Sequence, residues 1–322
     1  MQITLPSRIA LPSRLPLPRE LPAFASRLPL LPELHASNRP SATAQWTTLA
    51  RALELNRPRT GRIVVDRFAP AFLDGVHRRT LEALRIGSPL VHLAERHELA
   101  GIAAFVLLRH RFIDEHLRSA LADGAEQVII LGAGYDSRAY RFAEQLQGRP
   151  VHEVDLAPLS RRKAGIVAAH PELFGGNTIR RVEIDFRTQS LAGRLLDAGF
   201  TVGARTFVVW EGVSMYLSAA AIGATMDTLH DVCGAGSTLA MDFWHDPGGL
   251  HPFDQVRRTA ARAIRLIGEP VTFGLPPLHA DAFFAEHGME ITELATATEL
   301  TARWATDGRR SDKSVYTVAA RI

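Results

Sequence analysis

The chain has 322 residues, 46% of them hydrophobic, and 37 Lys and Arg against 34 Asp and Glu leave a formal net charge of +3. So mild a charge gives no reason to expect a nucleic-acid partner, and no apolar run approaches the roughly 20 residues that span a bilayer. The single cysteine, Cys233, excludes an intrachain disulfide framework and a Cys-rich zinc site. We therefore expect a soluble, cytoplasmic protein without a bound metal or a membrane partner.

Residues 1–40 form a proline-rich arm in which Leu-Pro pairs recur, as in MQITLPSRIALPSRLPLPRELPAF. Proline removes a backbone donor and disfavours helix in the residue before it, so an extended arm is predicted. The arm has no continuous apolar stretch of the kind that marks a secretory signal. The leucines of the arm are compatible with an arm that docks on the protein, and so with a homodimer formed through the arm. An arm surrounded by solvent is the alternative.

A helical block is predicted over residues 41–124. Its first segment, SATAQWTTLARALELNR, begins with a Ser cap and has apolar positions at helical spacing. The same spacing continues through TLEALRIGSPLVHLAERHELAGIAAFVLLRHRFIDEHLRSAL.

From residue 125 to residue 322 strands and helices alternate. The strand candidates are EQVIILGAG, RPVHEVDL, NTIRRVEIDF, ARTFVVWEGV and GSTLAMDFW, with MEITELATA and SVYTVAARI near the end. This alternation predicts an α/β domain with a parallel, doubly wound sheet. Residues 246–280, rich in Pro, Gly and His, interrupt the rhythm and are predicted to form an insertion that caps the substrate.

A nucleoside cofactor is indicated by the turn after the first strand. Gly132 and Gly134 would let a ligand approach the backbone closely, although Ser137 replaces the third glycine of the dinucleotide fingerprint. Asp155 ends the next strand, where an acid accepts hydrogen bonds from a ribose diol. The glycine turn and the strand-end acid together indicate a nucleoside cofactor more specifically than either feature does alone.

Two further acids, Asp185 and Glu211, close the third and fourth predicted strands. A strand-end acid often does no more than cap the following helix. Open α/β sheets bind ligands at the carboxyl ends of their strands. Because the acids and the glycine turn all follow predicted strands, they indicate a binding site at that edge of the sheet.

These segments carry a resemblance. Six stretches of the chain carry it: SATAQWTTLARALE, RHRFIDEHL, QVIILGAGYDSRAYRF, HEVDLAP, IDFRT and WEGVSMYL. They resemble the class I methyltransferases, and among them the leucine carboxyl methyltransferase family with its bacterial polyketide-type O-methyltransferases. The resemblance implies a Rossmann-like α/β fold with a seven-stranded, mostly parallel sheet whose last strand is antiparallel, next to the helical N-terminal block and the cap. It also implies S-adenosyl-L-methionine (S-adenosylmethionine) bound across the ends of the first four strands.

The resemblance assigns the cofactor contacts residue by residue. Gly132 and Gly134 would pass under the methionine part of the donor. Asp155 would take the ribose hydroxyls, and Asp185 with Phe186 would meet the adenine.

The amino-acid end of the donor would meet charged side chains. Glu211 would lie near the methionine ammonium, and Arg109 would pair with its carboxylate, a role that Arg111 could hold instead. Arg51, in a segment typical of the bacterial members, is expected near the mouth of the site.

The activity implied is O-methylation of a small, natural-product-like molecule in secondary metabolism, with a carboxylate favoured over a phenol as acceptor. A phenol would need a general base, for which His245 is the candidate, while Tyr216 would mainly shape the pocket. An NAD(P)-dependent oxidoreductase and a protein carboxyl methyltransferase remain as alternatives.

Overall fold

Seven strands form one sheet in the computed structural model, and each coincides with an apolar run of the sequence. Their bounds are β1 Gln127–Leu131, β2 Val151–Asp155, β3 Ile179–Glu183, β4 Thr206–Trp210, β5 Thr238–Trp244, β6 Glu290–Thr296 and β7 Val315–Arg321. Every residue of the central strands β1 and β4 is buried, as the continuous apolar runs of a parallel sheet require.

The structure describes residues 42–86, 101–175, 178–185, 188–245 and 273–322, all within the unit Glu33–Ile322. The arm 1–40, most of the predicted cap insertion and Phe186 lie outside the described residues. A homodimer through the arm and the domain boundaries at 41, 125 and 246–280 therefore stay predictions.

The strand order is β3-β2-β1-β4-β5-β7-β6. Strands β1 to β5 are parallel to one another, whereas β7 runs antiparallel to both β5 and β6. This confirms the predicted Rossmann-like α/β fold and its antiparallel last strand. Since β1 pairs with both β2 and β4, the chain reverses its direction of winding there, and the crevice outside the carboxyl ends of these strands is where such sheets bind ligands.

The helices surround the sheet. Among the described residues they are α1 Ala42–Glu54, α2 Ala69–Phe72, α3 Gly75–Ile86, α4 Gly101–Ala122, α5 Arg138–Arg141, α6 Ala143–Leu146, α7 Ala157–Ala169, α8 Pro171–Phe174, α9 Leu191–Asp197, α10 Ala219–Val232, α11 Ala280–Glu286 and α12 Ala297–Trp304, with 3-10 turns at Arg59–Gly61, Ser214–Tyr216 and Pro277–His279. None of the described helices combines the length and the apolar character that crossing a membrane requires.

Two hydrophobic clusters cover the two faces of the sheet. On one face, Phe105 and Phe112 of α4 pack with Ile130 and Val209 of the central strands. The other face carries residues of α9, α10 and α11, with Met226 among them. Helix α4 thus packs directly on the sheet, and its Arg109 and His110 contact Glu211 at the carboxyl edge where the ligand crevice lies.

Helix α1 is attached to a distant part of the chain. The carboxylate of Glu54, at its end, accepts hydrogen bonds from Arg309 Nη1 at 2.9 Å and from the backbone N–H of Ile63 at 2.6 Å. Arg57 Nε lies 3.1 Å from the same carboxylate, and Arg57 also pairs with Asp307. Both Glu54 and Arg309 are buried, so this ion pair fixes the end of α1 against the turn that follows α12.

Candidate active site

The turn after β1 has the backbone geometry that its glycines predict. Gly132 has φ +64° and Gly134 has φ +41°, in the left-handed region. A Cβ atom on Gly132 would lie 2.3 Å from Val213 Cγ2, so no larger residue fits there. The result is a cradle of bare backbone at the carboxyl end of β1, as a nucleoside cofactor needs.

Asp155 lies beside this cradle. Its Oδ2 accepts a hydrogen bond from the Gly134 backbone N–H at 2.6 Å, and its Oδ1 accepts one from Leu156 at 2.7 Å. Burial raises the pKa of Asp155, against the opposing effect of these two bonds. The structure therefore brings the glycine turn and the strand-end acid together, with the carboxylate held rigidly at the mouth of the cradle.

Asp185 does not end β3, contrary to the sequence interpretation. The β2–β3 ladder stops where Asp155 pairs with Glu183, and Asp185 lies two residues further on. Its backbone N–H donates to Gln189 Oε1 at 2.8 Å, and its carbonyl accepts from Thr188 at 3.0 Å. It thus begins a turn beyond the strand rather than closing the strand itself.

Glu211 follows β4 and is joined to Arg109 of α4. Arg109 Nε donates to Glu211 Oε1 at 3.1 Å, and Arg109 Nη1 donates to Asp242 Oδ2 on β5 at 2.9 Å. Arg109 is buried, so two carboxylates balance its charge where water is scarce. A Cβ on Gly212 would lie 2.7 Å from Arg109 Nη2, which explains the glycine after Glu211.

Arg138, at the start of α5, completes the ion network around Glu211. Its Nη2 lies 2.8 Å from Glu211 Oε2 and its Nε donates to Asp114 Oδ1 at 2.8 Å. Its Nη1 is bonded to Asp136 in the glycine turn. One buried guanidinium therefore connects the glycine turn, helix α4 and the end of β4.

The charges of this network shift the pKa values of its acids. Burial alone would raise the pKa of Glu211, but His110, Arg138 and Arg109 hold it well below its ordinary value. For Asp242, burial outweighs the bonds from Arg109 and the Gly212 N–H, and its pKa is raised. Glu211 is consequently an anion at any physiological pH.

His110, Asp136 and Glu211 present atoms that lie within 4.8 Å of one another, a grouping that could in principle hold a metal. The Arg138 guanidinium contacts all three, with Nη2 lying 2.9 Å from His110 Nδ1. A positive charge already occupies the centre of the group, and the donor set does not fit a divalent cation.

Arg111 points away from this network. It forms an ion pair with Glu115 at 2.5 Å and lies over the ring of Trp304. Of the two arginines that the sequence left open, only Arg109 contacts Glu211. Arg51 contacts the glycine turn through the backbone carbonyl of Tyr135 at 2.8 Å.

Tyr216 and His245 lie at neighbouring strand ends. Tyr216 is in the 3-10 turn after β4 and, after Asp242 and Glu211, helps to raise the pKa of Arg109 against the effect of burial. His245 directly follows β5, where its backbone N–H donates to Ser314 at 2.8 Å and its ring centroid lies 5.6 Å from that of Tyr316. Neither contact tests a catalytic role, which stays a prediction for both residues.

Sequence reasoning missed most of the ion network. The residues concerned are His110, Asp114, Asp136, Arg138, Arg141 and Asp242. A usable signal was present, because five of the six lie in the two stretches RHRFIDEHL and GYDSRAYRF, and His110 and Asp114 are four residues apart on one helix. Charged residues in apolar helices are rarely buried unless they are paired.

Comparison with known proteins decides the family. The model of the leucine carboxyl methyltransferase family matches residues 44–230, more than half of the chain. The chain belongs to the leucine carboxyl methyltransferase family. It is 32% identical over 267 residues to a protein of Parafrankia sp. (strain EAN1pec), 80% of each chain, whose name describes an S-adenosyl-L-methionine-dependent methyltransferase. A protein of Rhodococcus jostii (strain RHA1) with a similar name is 31% identical over 217 residues, 67% of this chain and 69% of that one.

A solved structure of another protein shares this fold. A DUF574 family protein from Streptomyces avermitilis aligns with a TM-score of 0.56 over 84% of this chain and 96% of its own, at 15% sequence identity. Membership of the leucine carboxyl methyltransferase family confirms the class I, S-adenosylmethionine-dependent methyltransferase that the sequence predicted. It decides against an NAD(P)-dependent oxidoreductase.

Proposed function

We propose that this methyltransferase acts on an oxygen of a small, largely apolar, natural-product-like molecule, with a carboxylate favoured over a phenol. The observation that supports this most directly is the pairing of the buried acids beside β4. Glu211 and Asp242 both bind Arg109, and the cationic neighbours that hold the pKa of Glu211 well below its ordinary value make Glu211 a poor base. An acceptor carboxylate, with a pKa near 4, is ionised at neutral pH and needs no base. The family's description as carboxyl methyltransferases supports the same preference.

In this proposal the donor lies across the glycine turn. Gly132 and Gly134 pass under the methionine part, and Asp155 accepts the ribose hydroxyls. The fit rests on the bare backbone of Gly132, where a Cβ would collide with Val213, and on the carboxylate of Asp155 fixed at the edge of that turn. Asp185, with Phe186, is assigned to the adenine.

The amino-acid end of the donor meets Glu211 and Arg109. Glu211 is held as an anion and its side chain keeps 12% of its surface exposed, which suits an incoming ammonium. Arg109 is oriented by Glu211 and Asp242 and is assigned to the methionine carboxylate. Both ends of the zwitterion would thus meet groups whose geometry is set before binding.

S-adenosylmethionine supplies a methyl group on a positively charged sulfur. An acceptor oxygen forms the new O–CH3 bond as the S–CH3 bond breaks, and the electron pair remains on sulfur, so that a carboxylate gives a neutral methyl ester. The protein aligns the three atoms and excludes water. Tyr216 and His245, at the ends of β4 and β5, are assigned to the acceptor side.

The proposal is tested with methyl-labelled S-adenosylmethionine and paired acceptors that share a skeleton, an arylalkanoic acid and the corresponding phenol. A methyl ester releases labelled methanol in mild base, whereas a methyl ether does not. Base-labile label from the acids supports the proposal. Base-stable label from the phenols alone would overturn the preference for a carboxylate.

The pH dependence separates the same two cases. A carboxylate acceptor should give a rate nearly flat from about pH 6 to 8, since the nucleophile is ionised throughout, and His245→Ala should change it little. A rate that rises with pH and falls a hundredfold or more in His245→Ala would instead make His245 the general base of a phenol methyltransferase.

A further inference from the structure

Ser137, the residue that replaces the third glycine of the dinucleotide fingerprint, is fully buried at the junction of three charged side chains. Its hydroxyl donates to Asp66 Oδ2 at 2.7 Å. The same oxygen accepts from Arg141 Nε at 3.0 Å and lies 3.4 Å from Arg51 Nη1. A hydroxyl that donates one bond and accepts two is saturated, so Ser137 has a defined place in the structure.

Arg51 fastens helix α1 to the same turn. Its Nη2 donates to the backbone carbonyl of Tyr135 at 2.8 Å and its Nη1 to Asp66 Oδ2 at 2.7 Å. At the start of α1, Ala44 Cβ lies 3.9 Å from the place that a Cβ on Gly134 would take. Helix α1 therefore contacts the glycine turn through Arg51, and Ala44, about two helical turns earlier, lies beside the same turn.

Asp66 fixes the other side of the junction. Its Oδ1 accepts the backbone N–H groups of Phe68 at 3.0 Å and Ala69 at 3.1 Å, at the start of α2. Asp66 is fully buried and Arg51 is 4% exposed. A buried ion pair is weak evidence for stability, because an apolar replacement of equal volume often does as well, but it does enforce one relative geometry of the elements it joins.

We propose that Arg51, Asp66 and Ser137 are positioning residues that hold the glycine turn in its donor-binding conformation and make helix α1 part of the S-adenosylmethionine site. They act through the backbone of residues 134–137. A turn held in place before binding saves the donor the entropic cost of ordering it. The inference rests on the donor site proposed above.

The experiment measures the dissociation constant of S-adenosylmethionine by calorimetry, the melting temperature without donor, and hydrogen exchange of the peptide that contains residues 132–137. Ser137→Ala and Arg51→Ala should each weaken donor binding about tenfold, the equivalent of one hydrogen bond, and should speed exchange in the turn. Arg51→Lys keeps the charge and should restore part of the affinity. If Arg51→Ala does not fold, Ser137→Ala and Arg51→Lys carry the test.

Arg57→Ala is the matched control. Arg57 is also a buried arginine at the end of α1, paired with Glu54 and Asp307, but it makes none of the contacts with the glycine turn described here. This variant should lower the melting temperature and leave the donor affinity unchanged.

The inference is overturned if the Ser137 and Arg51 variants lower the melting temperature as Arg57→Ala does and still bind the donor with full affinity. Asp155→Ala distinguishes this failure from a failure of the proposed donor site. If Asp155→Ala weakens binding and the junction variants do not, only the positioning role is wrong. If Asp155→Ala also binds normally, the donor site itself is wrong.

Discussion

His110 Nε2 lies 2.7 Å from Arg141 Nη2. His110 Nδ1 lies 2.9 Å from Arg138 Nη2, so both ring nitrogens face arginines, which can only donate. Nδ1 also lies 2.9 Å from Glu211 Oε2. A single buried histidine thus lies between two arginines of α5 and the acid that follows β4.

This relationship predicts that His110 remains neutral in the folded protein. Burial and Arg138 lower its pKa, so protonation requires a pH below the ordinary histidine range near 6.5. NMR of histidine-labelled protein should show one ring that does not titrate between about pH 6 and 8, and His110→Gln should remove its signal. Titration of that ring near pH 6.5 would show that the network is open to water.

Asp155→Ala should weaken S-adenosylmethionine binding by about 1–3 kcal/mol, since the ribose hydroxyls and the N–H groups of Gly134 and Leu156 lose their common acceptor. Calorimetry measures the change. Glu183→Ala is the control, because Glu183 pairs in register with Asp155 on the next strand but forms an exposed ion pair with Arg161. Full affinity in Asp155→Ala, together with a lower melting temperature, would make Asp155 a purely structural acid.

His152 should make the protein less stable as the pH falls from about 6.5 to 4. Burial, with help from Arg180, lowers its pKa to about 4, and both ring nitrogens are buried with no hydrogen-bond partner among the described residues. Between these pH values the unfolded chain binds more protons than the folded one, so the free energy of unfolding falls by up to about 1.4 kcal/mol per pH unit. Denaturant unfolding across this pH window should show that the free energy of unfolding depends less steeply on pH in His152→Leu than in the wild type. The exposed residue His230, changed to Leu, should keep the wild-type slope, and equal slopes in all three proteins would refute the assignment.

Tyr316→Phe should leave the free energy of unfolding unchanged or raise it by about 1 kcal/mol. The hydroxyl of Tyr316 is buried and has no hydrogen-bond partner among the described residues, and an unsatisfied buried hydroxyl is costly. Tyr140→Phe is the matched change, because the hydroxyl of Tyr140 accepts from Arg181 Nη2 at 3.1 Å; it should lower the free energy by about 1 kcal/mol. Equal losses in both variants would show that Tyr316 has a partner in solution.

The sheet and the glycine turn could be predicted because their signals are local. Apolar runs mark the strands, and Gly132 with Gly134 marks a turn whose backbone is left-handed. The two stretches RHRFIDEHL and GYDSRAYRF signalled buried charges, but which residues pair could not be predicted, because the pairs join distant positions: Arg109 and Asp242 are 133 residues apart. Asp185 was predicted to close the third strand for a related reason. The position at which β3 ends depends on its pairing with β2 and not on the residues of β3 alone.

The attachment of Glu54 to Arg309 spans 255 residues. During synthesis at about 5–20 residues per second, helix α1 leaves the ribosome before the arginine that holds its end, which emerges only after β1 to β6. The contacts within β1 to β5 can form before that point, while this anchor cannot. A nascent chain can therefore pair its parallel strands before the end of α1 is fixed, so this attachment is a late step of folding.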